Sequence, residues 1–274
     1  MQFGGCSFVY KVVGEGEPVV LIQGVGLHGD GWLPQTDALR SRYRCLTFDN
    51  RGMGRSQPAG GPITVEQMVW DTLAVMDAAG FHGDVHLVGH SMGGAIAQAI
   101  ALRCPERVKS LALLCTSARG ADATRLSWQL MQVGIRTRVG TRRMRRMAFL
   151  EIIMPPEYLA IQDRDALAEK LAPLIGHDLA DTPPIAMRQL DALRRFDATG
   201  AISRLAGIPT LVLSARHDII FPPQYGRALA GGIPGSQYVE VADAGHGVPI
   251  QLSGVVNEAL YNCFQNSSAS DRRT

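Results

Sequence analysis

A serine set between glycines at a strand–helix junction is the feature that most constrains the fold of this chain. Ser91 lies in the segment Gly-His-Ser-Met-Gly-Gly at 89–94. The apolar residues 85–88 before it are typical of a buried strand, and the alanine-rich residues 95–102 after it favour a helix. Small residues on both sides of such a tight turn let the helix pass close to the strand. The pattern predicts a serine hydroxyl exposed at the carboxyl edge of a sheet.

Two further residues with acid–base chemistry follow predicted strands. Asp218 comes after the apolar segment 210–215, and His246 comes after the segment 237–241. Because the carboxyl ends of parallel strands meet at one edge of a sheet, we expect Ser91, Asp218 and His246 to converge. A histidine oriented by a carboxylate is what a serine hydroxyl needs to become a nucleophile at neutral pH.

The chain order serine, aspartate, histidine resembles that of the α/β-hydrolase family. Residues 49–56, Asp-Asn-Arg-Gly-Met-Gly-Arg-Ser, match a loop common in that family, and the resemblance covers nearly the whole chain. It implies an acyl-enzyme on Ser91, with His246 as the general base and Asp218 orienting it. It also implies an oxyanion hole formed by the backbone N–H groups of Val25 and Met92.

This chain departs from the family pattern near the oxyanion loop, and at Ala215, where the turn before Asp218 usually has a glycine. The family usually has a histidine before the glycine that precedes the first oxyanion donor, whereas this chain has Gln23. A backbone N–H does not depend on that side chain. Some members place the acid after the strand that here ends near residue 116, which makes Asp122 the alternative to Asp218. Asp243 lies three residues before His246 and is expected to cap its loop.

Strand and helix signals alternate along most of the chain, which predicts an α/β fold. We expect a mostly parallel central sheet of about seven to eight strands flanked by helices. Residues 8–13 and 19–23 predict a hairpin, and residues 64–67 predict a capping box that opens a helix.

The same signals divide the chain into a core, an insertion and a tail. Strand signals stop between residues 117 and 200, so residues 1–116 and 201–264 form the predicted core. Residues 117–200 predict a helical insertion, which in the resembled family is a cap over the active site. The polar residues 265–274 are expected to be disordered.

Composition excludes several classes of protein. Of 274 residues, 46% are hydrophobic and 19% are charged, which is typical of a globular protein. A net charge of +2 gives no indication of a nucleic-acid partner. The five cysteines are scattered without metal-ligand spacing, so we expect reduced thiols, no metal and no cofactor. Neither a signal peptide nor a membrane-spanning window is present, which predicts a cytoplasmic protein without stable membrane insertion. A homo-oligomer is compatible with this composition.

An arginine-rich stretch lies inside the predicted insertion. Residues 136–146 contain six arginines and no acid. We interpret them as the solvated face of a helix whose apolar stripe includes Met147 and Leu150. Attraction of an anionic substrate or of a membrane surface is the alternative.

A glycine motif near the N-terminus offers a different function. Residues 24–29 read GxGxxG, and Asp49 follows at the spacing of a ribose contact, as in NAD-dependent oxidoreductases. That fingerprint requires a helix to begin at the glycines. Here Asp30 and Pro34 delay the helix, and the motif leaves the three residues at the strand ends without a role.

The sequence therefore predicts a serine hydrolase that cleaves a small to medium apolar acyl ester or a lactone. A serine at position 91 argues against relatives with an aspartate nucleophile, such as haloalkane dehalogenases and epoxide hydrolases. A carbon–carbon bond hydrolase, a perhydrolase or an acyltransferase would use the same three residues. A ligand-sensing binding protein is a further alternative.

Overall fold

A seven-stranded sheet organises the computed structural model, which describes residues 1–124 and 128–270. The strands are β1 (Gln2–Phe3), β2 (Cys6–Ser7), β3 (Tyr10–Val13), β4 (Glu17–Ile22), β5 (Tyr43–Phe48), β6 (Val85–His90), β7 (Val108–Leu114), β8 (Thr210–Ala215) and β9 (Gln237–Val241). The main sheet has the order β3-β5-β4-β6-β7-β8-β9, and β1 pairs with β2 in a separate hairpin. All neighbours from β5 to β9 are parallel, which confirms the predicted fold class.

Helices cover both faces of this sheet. They are α1 (Leu33–Leu39), α2 (Val65–Ala78), α3 (Met92–Arg103), α4 (Trp128–Arg136), α5 (Arg142–Ile153), α6 (Pro156–Ala160), α7 (Arg164–Ile175), α8 (Pro184–Arg194), α9 (Pro223–Gly232), α10 (Val248–Gln251) and α11 (Ser253–Ser270). Side chains alternate between the faces along each strand, so Leu87 packs in the cluster under α2 and α3 while Val88 packs in the cluster under α1 and α11. Both faces being covered explains why β6 and β8 are buried throughout. None of α1 to α11 is long and apolar enough to cross a lipid bilayer.

The predicted hairpin of the first strands of the sheet is wrong. Strand β5 lies between β3 and β4, antiparallel to the first and parallel to the second. The turn from β3 to β4 therefore crosses the start of β5. Gly14 and Gly16 have φ of +81° and +107°, and a Cβ at either would overlap a carbonyl of Tyr43 or Arg42. Glycine allows this close crossing. In the sequence, the glycine-rich segment looks the same as the turn of a hairpin.

The insertion between β7 and β8 contains α4 to α8 and has a small apolar core, with Leu150, Leu159, Leu167, Leu171 and Ile175. Arg142 and Arg143 of α5 are exposed, as predicted, whereas Arg145 and Arg146 are half-buried. Three of these arginines pair with acids outside their own run. Arg143 binds Asp165 of α7, and Arg146 donates from Nε to Asp178 at 2.8 Å. Hydrogen bonds from Arg146, then from the backbone N–H of Ala180 and from Arg142, hold the pKa of Asp178 well below its usual range. These arginines therefore tie the helices of the insertion together.

The start of α2 and the end of α11 were both subjects of sequence predictions. The predicted capping box of α2 is confirmed in one half, since the hydroxyl of Thr64 accepts the backbone N–H of Gln67 at 3.0 Å. The side chain of Gln67 donates instead to Asp71 at 3.0 Å. The expected disorder of residues 265–274 is wrong for residues 265–270, because α11 continues to Ser270. Ser267 is buried there and its hydroxyl donates to the carbonyl of Phe264 at 2.6 Å. Residues 271–274 lie outside the described part of the chain.

Candidate active site

Ser91 occupies a strained turn between β6 and α3. Its φ of 56° and ψ of −119° are unusual for a residue with a side chain. The turn is held by two hydrogen bonds of 2.9 Å, from the Ser91 N–H to the carbonyl of Leu114 and from the Gly94 N–H to the Ser91 carbonyl. Met92 is the first residue of α3. The predicted strand–serine–helix geometry is therefore present.

The glycines around Ser91 are required by close packing. A Cβ at Gly89 would overlap the carbonyl oxygen of Gly93, and one at Gly93 would overlap that of Ile22 in β4. A Cβ at Gly94 would lie 2.5 Å from Cγ2 of Thr116. The helix thus passes so near to the sheet that only glycine fits at these three positions.

His246 is paired with the carboxylate of Asp218. Nδ1 of His246 lies 2.7 Å from Oδ2 of Asp218, and both residues are buried. The other oxygen, Oδ1, accepts the backbone N–H groups of Ile220 at 2.8 Å and Phe221 at 2.9 Å. Burial raises the pKa of Asp218, but His246 and the two N–H groups outweigh it, so the pKa lies below its ordinary value. A carboxylate only accepts hydrogen bonds, so Nδ1 carries the proton and Nε2 is left as the basic nitrogen of the ring.

Asp122 and Asp243, the other candidate acids, lie elsewhere. Asp122 belongs to the 3-10 turn Gly120–Thr124 in the segment that follows β7. Asp243 is exposed, and its carbonyl accepts the Nε2 amide of Gln251 at 2.8 Å. The structure therefore places Asp218, rather than Asp122 or Asp243, at the imidazole of His246.

His90 supports the loop that carries His246, a role that the sequence did not predict. Its Nε2 donates to the backbone carbonyl of His246 at 2.9 Å, and the two rings are 4.7 Å apart between centroids. Burial, together with His246 beside it, lowers the pKa of His90 to about 3. His90 is therefore neutral at physiological pH, and it places no competing positive charge next to His246.

Cys115, the residue directly after β7, interacts with Asp218. Its φ is 47°, and burial followed by the charge of Asp218 raises the pKa of the thiol well above its ordinary value. Among the described residues, potential metal-ligating atoms of His90, Cys115 and His246 lie within 4.8 Å of one another. A metal ion would compete there with a protonated thiol and with the hydrogen bonds already made by both rings.

Ser91 and His246 line the same cavity, whose volume is about 190 Å³. Its walls are otherwise mostly apolar and include Val25, Leu27, Phe149, Ile152, Ile153, Leu190, Leu193 and Ile220. Gly24 touches the serine, since a Cβ added there would lie 3.0 Å from the Cβ of Ser91. Val25, one predicted oxyanion donor, therefore lies beside Ser91, and Met92, the other, directly follows it.

The insertion also contacts the loop that carries His246. The N–H of Gly247 donates to the carbonyl of Ile153 at 2.8 Å. A Cβ on Gly245 would lie 2.7 Å from that same carbonyl oxygen. The end of α5 is therefore bonded to the backbone on one side of His246 and packed closely on the other.

The geometry does not support the dinucleotide interpretation of residues 24–29. Gly29 begins a short 3-10 turn (Gly29–Trp32), and α1 starts only at Leu33. The carboxylate of Asp49 accepts the N–H groups of Gly29 at 2.9 Å and Arg55 at 3.1 Å. Asp49 thus holds two loops together, and α1 begins four residues after the last glycine of the motif.

Comparisons with known proteins agree with this architecture. Residues 17–251 match the family model described as the alpha/beta hydrolase fold. A relative from Azorhizobium caulinodans, RutD, whose carbamate hydrolase activity is itself inferred, is 32% identical over 94% of both chains. A thermophilic esterase from Thermogutta terrifontis superposes with a TM-score of 0.77 at 27% identity, covering 95% of this chain and 93% of the other. An enol-lactonase from Burkholderia xenovorans gives a TM-score of 0.79 at 27% identity, covering 95% and 97%.

Proposed function

This chain belongs to the α/β-hydrolase fold family, and we propose that it is a serine hydrolase that cleaves a carboxylic ester through an acyl-enzyme on Ser91. The observation that carries the proposal is the shared cavity of Ser91 and His246, with Asp218 held 2.7 Å from the far nitrogen of the imidazole. The names of two solved relatives, an esterase and an enol-lactonase, support the same reaction class.

The proposed mechanism follows from the protonation states. With Nδ1–H donating to Asp218, Nε2 of His246 removes the proton from Ser91 as its oxygen attacks the ester carbon. Asp218 stabilises the imidazolium that forms. The N–H groups of Val25 and Met92 bind the oxyanion of the tetrahedral intermediate, each donor contributing about 3 kcal/mol to the transition state. His246 then protonates the departing alcohol, and a water molecule activated by the same nitrogen hydrolyses the acyl-enzyme.

The insertion supports an assignment as a cap. Helices α5 and α8 contribute Phe149, Ile152, Leu190 and Leu193 to the cavity wall opposite the sheet. We therefore propose that residues 117–200 form a cap on a core of residues 1–116 and 201–264. The volume of about 190 Å³ is small for a ligand pocket and its walls are apolar. These properties favour a small to medium apolar acyl ester or a lactone as the small-molecule substrate.

Turnover of a panel of p-nitrophenyl esters and small lactones tests the proposal. We expect Ser91→Ala and His246→Ala to lower kcat by at least about 10³-fold. A serine-reactive phosphonate should label the natural protein and leave Ser91→Ala unlabelled. Ser203→Ala changes an exposed serine and should keep full activity, which makes it the matched control.

Two outcomes would contradict the proposal. Unchanged turnover in Ser91→Ala would remove the serine mechanism. A carbamate that is cleaved much faster than every ester would replace the proposed substrate class. Adding an alcohol or hydrogen peroxide as an acceptor then separates the remaining alternatives. Acyl transfer would yield a new ester and perhydrolysis a peracid, whereas hydrolysis yields the free acid.

A further inference from the structure

Gly26, directly after Val25, is bound to the insertion through both of its backbone polar groups. Its N–H donates to Oε1 of Gln189 at 2.9 Å. Its carbonyl accepts a hydrogen bond from Nε2 of His177 at 3.0 Å. Gly26 has a φ of +72°, a conformation that glycine adopts without strain and also leaves easily. The two hydrogen bonds thus fix the backbone of a glycine that has no side chain of its own to hold it.

Gln189 is suited to this contact by its burial and orientation. It lies on α8 and is fully buried. Its Nε2 faces the carbonyl of Arg51 at 3.4 Å, which directs Oε1 toward the N–H of Gly26. The side chain therefore joins α8 to two loops of the core. A flipped amide would place its NH₂ group against the N–H of Gly26 and its oxygen against the carbonyl of Arg51, so one orientation alone satisfies both contacts.

His177 is oriented in a similar way. It lies between α7 and α8, and its Nδ1 faces the carbonyl of Asp178 at 2.9 Å. Asp178 is itself fixed by ion pairs with Arg142 and Arg146 of α5. A carbonyl oxygen only accepts hydrogen bonds, so Nε2 must carry a proton to bond the carbonyl of Gly26. The arginine-rich stretch thus supports the residue that holds the carbonyl of Gly26.

We infer that Gln189 and His177 are positioning residues for the oxyanion donor Val25, an inference that rests on the proposed function. On one side of Val25, the N–H of Gly24 donates to Oε1 of Gln23 at 3.2 Å. On the other side, Gln189 and His177 hold the two peptide planes of Gly26. The N–H held by Gln189 belongs to the peptide that joins Val25 to Gly26. If this peptide rotated, the backbone of Val25 would turn with it and redirect the N–H that we assign to the oxyanion. The insertion thus contributes to transition-state stabilisation as well as to the cavity wall.

Gln189→Met and His177→Leu test the inference, because each removes one hydrogen-bonding partner of Gly26 at similar volume. We expect kcat to fall by about 10- to 100-fold in each, with KM changed by less than about 3-fold, because a displaced donor weakens the transition state more than the bound ester. The effects should combine by less than their product, since both act through Gly26. His177→Gln retains an amide donor near the position of Nε2 and should recover most of kcat.

A boronic acid distinguishes positioning from a general structural effect. It forms a tetrahedral adduct on Ser91, so its inhibition constant should rise by about the factor by which kcat/KM falls. Asp191→Asn, an exposed position two residues further on α8, is the control and should behave like the natural protein.

The outcomes separate this inference from the proposed function. If Ser91→Ala abolishes turnover while Gln189→Met and His177→Leu keep kcat within about 2-fold, the serine mechanism stands and the inference is wrong. If kcat falls in these variants but the inhibition constant of the boronic acid does not change, the loss is not at the oxyanion donor and the inference is also wrong. His177→Gln distinguishes loss of the donor from loss of the ring, and an activity as low as that of His177→Leu would contradict the role of His177.

Discussion

Asp218 divides its two carboxylate oxygens between two tasks, since Oδ2 lies 2.7 Å from Nδ1 of His246 while Oδ1 accepts the N–H groups of Ile220 and Phe221. The backbone donors orient the carboxylate, and the carboxylate orients the imidazole. The low pKa of Asp218 means that it remains charged throughout the pH range in which a histidine works as a base.

Asp218→Asn should therefore lower kcat by about 10³- to 10⁴-fold, because an amide that donates to Nδ1 stabilises the wrong tautomer. Asp122→Asn should change kcat by less than about 3-fold. Steady-state kinetics on one p-nitrophenyl ester checks both variants. The reverse ranking would assign the acid to Asp122.

Gly24→Ala should lower kcat by about 10-fold or more while the protein remains folded. The added Cβ would lie 3.0 Å from the Cβ of Ser91 and 3.5 Å from its hydroxyl oxygen, which displaces the nucleophile or the oxyanion loop. Gly231→Ala, on α9, is the control, because a Cβ there meets no atom within 4 Å. Equal kinetics of the two variants would show that the contact has no effect on the reaction.

Leu190→Phe should change acyl-chain selectivity. Leu190 and Ile152 line both the cavity at Ser91 and a larger groove of about 540 Å³ between α4 and α8. We expect turnover of p-nitrophenyl octanoate to fall by about 10-fold or more, with acetate changed by less than about 3-fold, because only the longer chain reaches past this residue. Ile161→Phe, at an exposed site, should leave the ratio of the two rates unchanged.

The free energy of unfolding should depend on pH through His90. Its pKa is about 3 in the folded protein, against an ordinary value of 6.5, so between these values only the unfolded chain binds the proton. The free energy of unfolding should therefore fall by about 1.4 kcal/mol for each pH unit lowered below 6.5, and this contribution should level off above it. His90→Gln keeps a donor near Nε2 but has no titrating ring.

Urea unfolding at several pH values between 4.5 and 7.5 checks this prediction. The difference in free energy between the natural protein and His90→Gln should shift steadily with pH in the acidic half of that range. A difference that stays constant with pH would mean that His90 has the same pKa in the folded and the unfolded protein, which would contradict the prediction.

The positions of the proposed catalytic residues could be predicted from the sequence because each follows a strand in a parallel sheet. Strand ends are local signals, and the parallel topology brings Ser91, Asp218 and His246 together regardless of their separation in the chain. The same logic failed for β3, because the choice between pairing with β4 and pairing with β5 depends on a crossing that has no local pattern. A glycine-rich turn looks alike in both cases.

The supporting contacts were out of reach for a different reason. Gln189 and His177 lie more than 150 residues from Gly26. Gln189 is on α8 and His177 is in the loop before it, and the apolar patterns of the insertion do not specify how its helices dock on the sheet. Their roles depend on which backbone groups of the loop point outward, and only the folded backbone shows this. The helical residues 265–270 were missed for a similar reason. Serine and asparagine are weak helix formers, and Ser267 is buried by tertiary packing that the local sequence does not show.

The hydrogen bond from Gly247 to Ile153 has a consequence for how a substrate reaches the serine. Together with the two bonds at Gly26, it joins the insertion to the loop of His246, the proposed base, and to the loop of Val25, the proposed oxyanion donor. If the insertion moved outward to admit a large ester of the proposed class, these hydrogen bonds would break, and they would form again when it closed. An open molecule would thus be a poor catalyst, and readiness to react would be coupled to enclosure of the substrate.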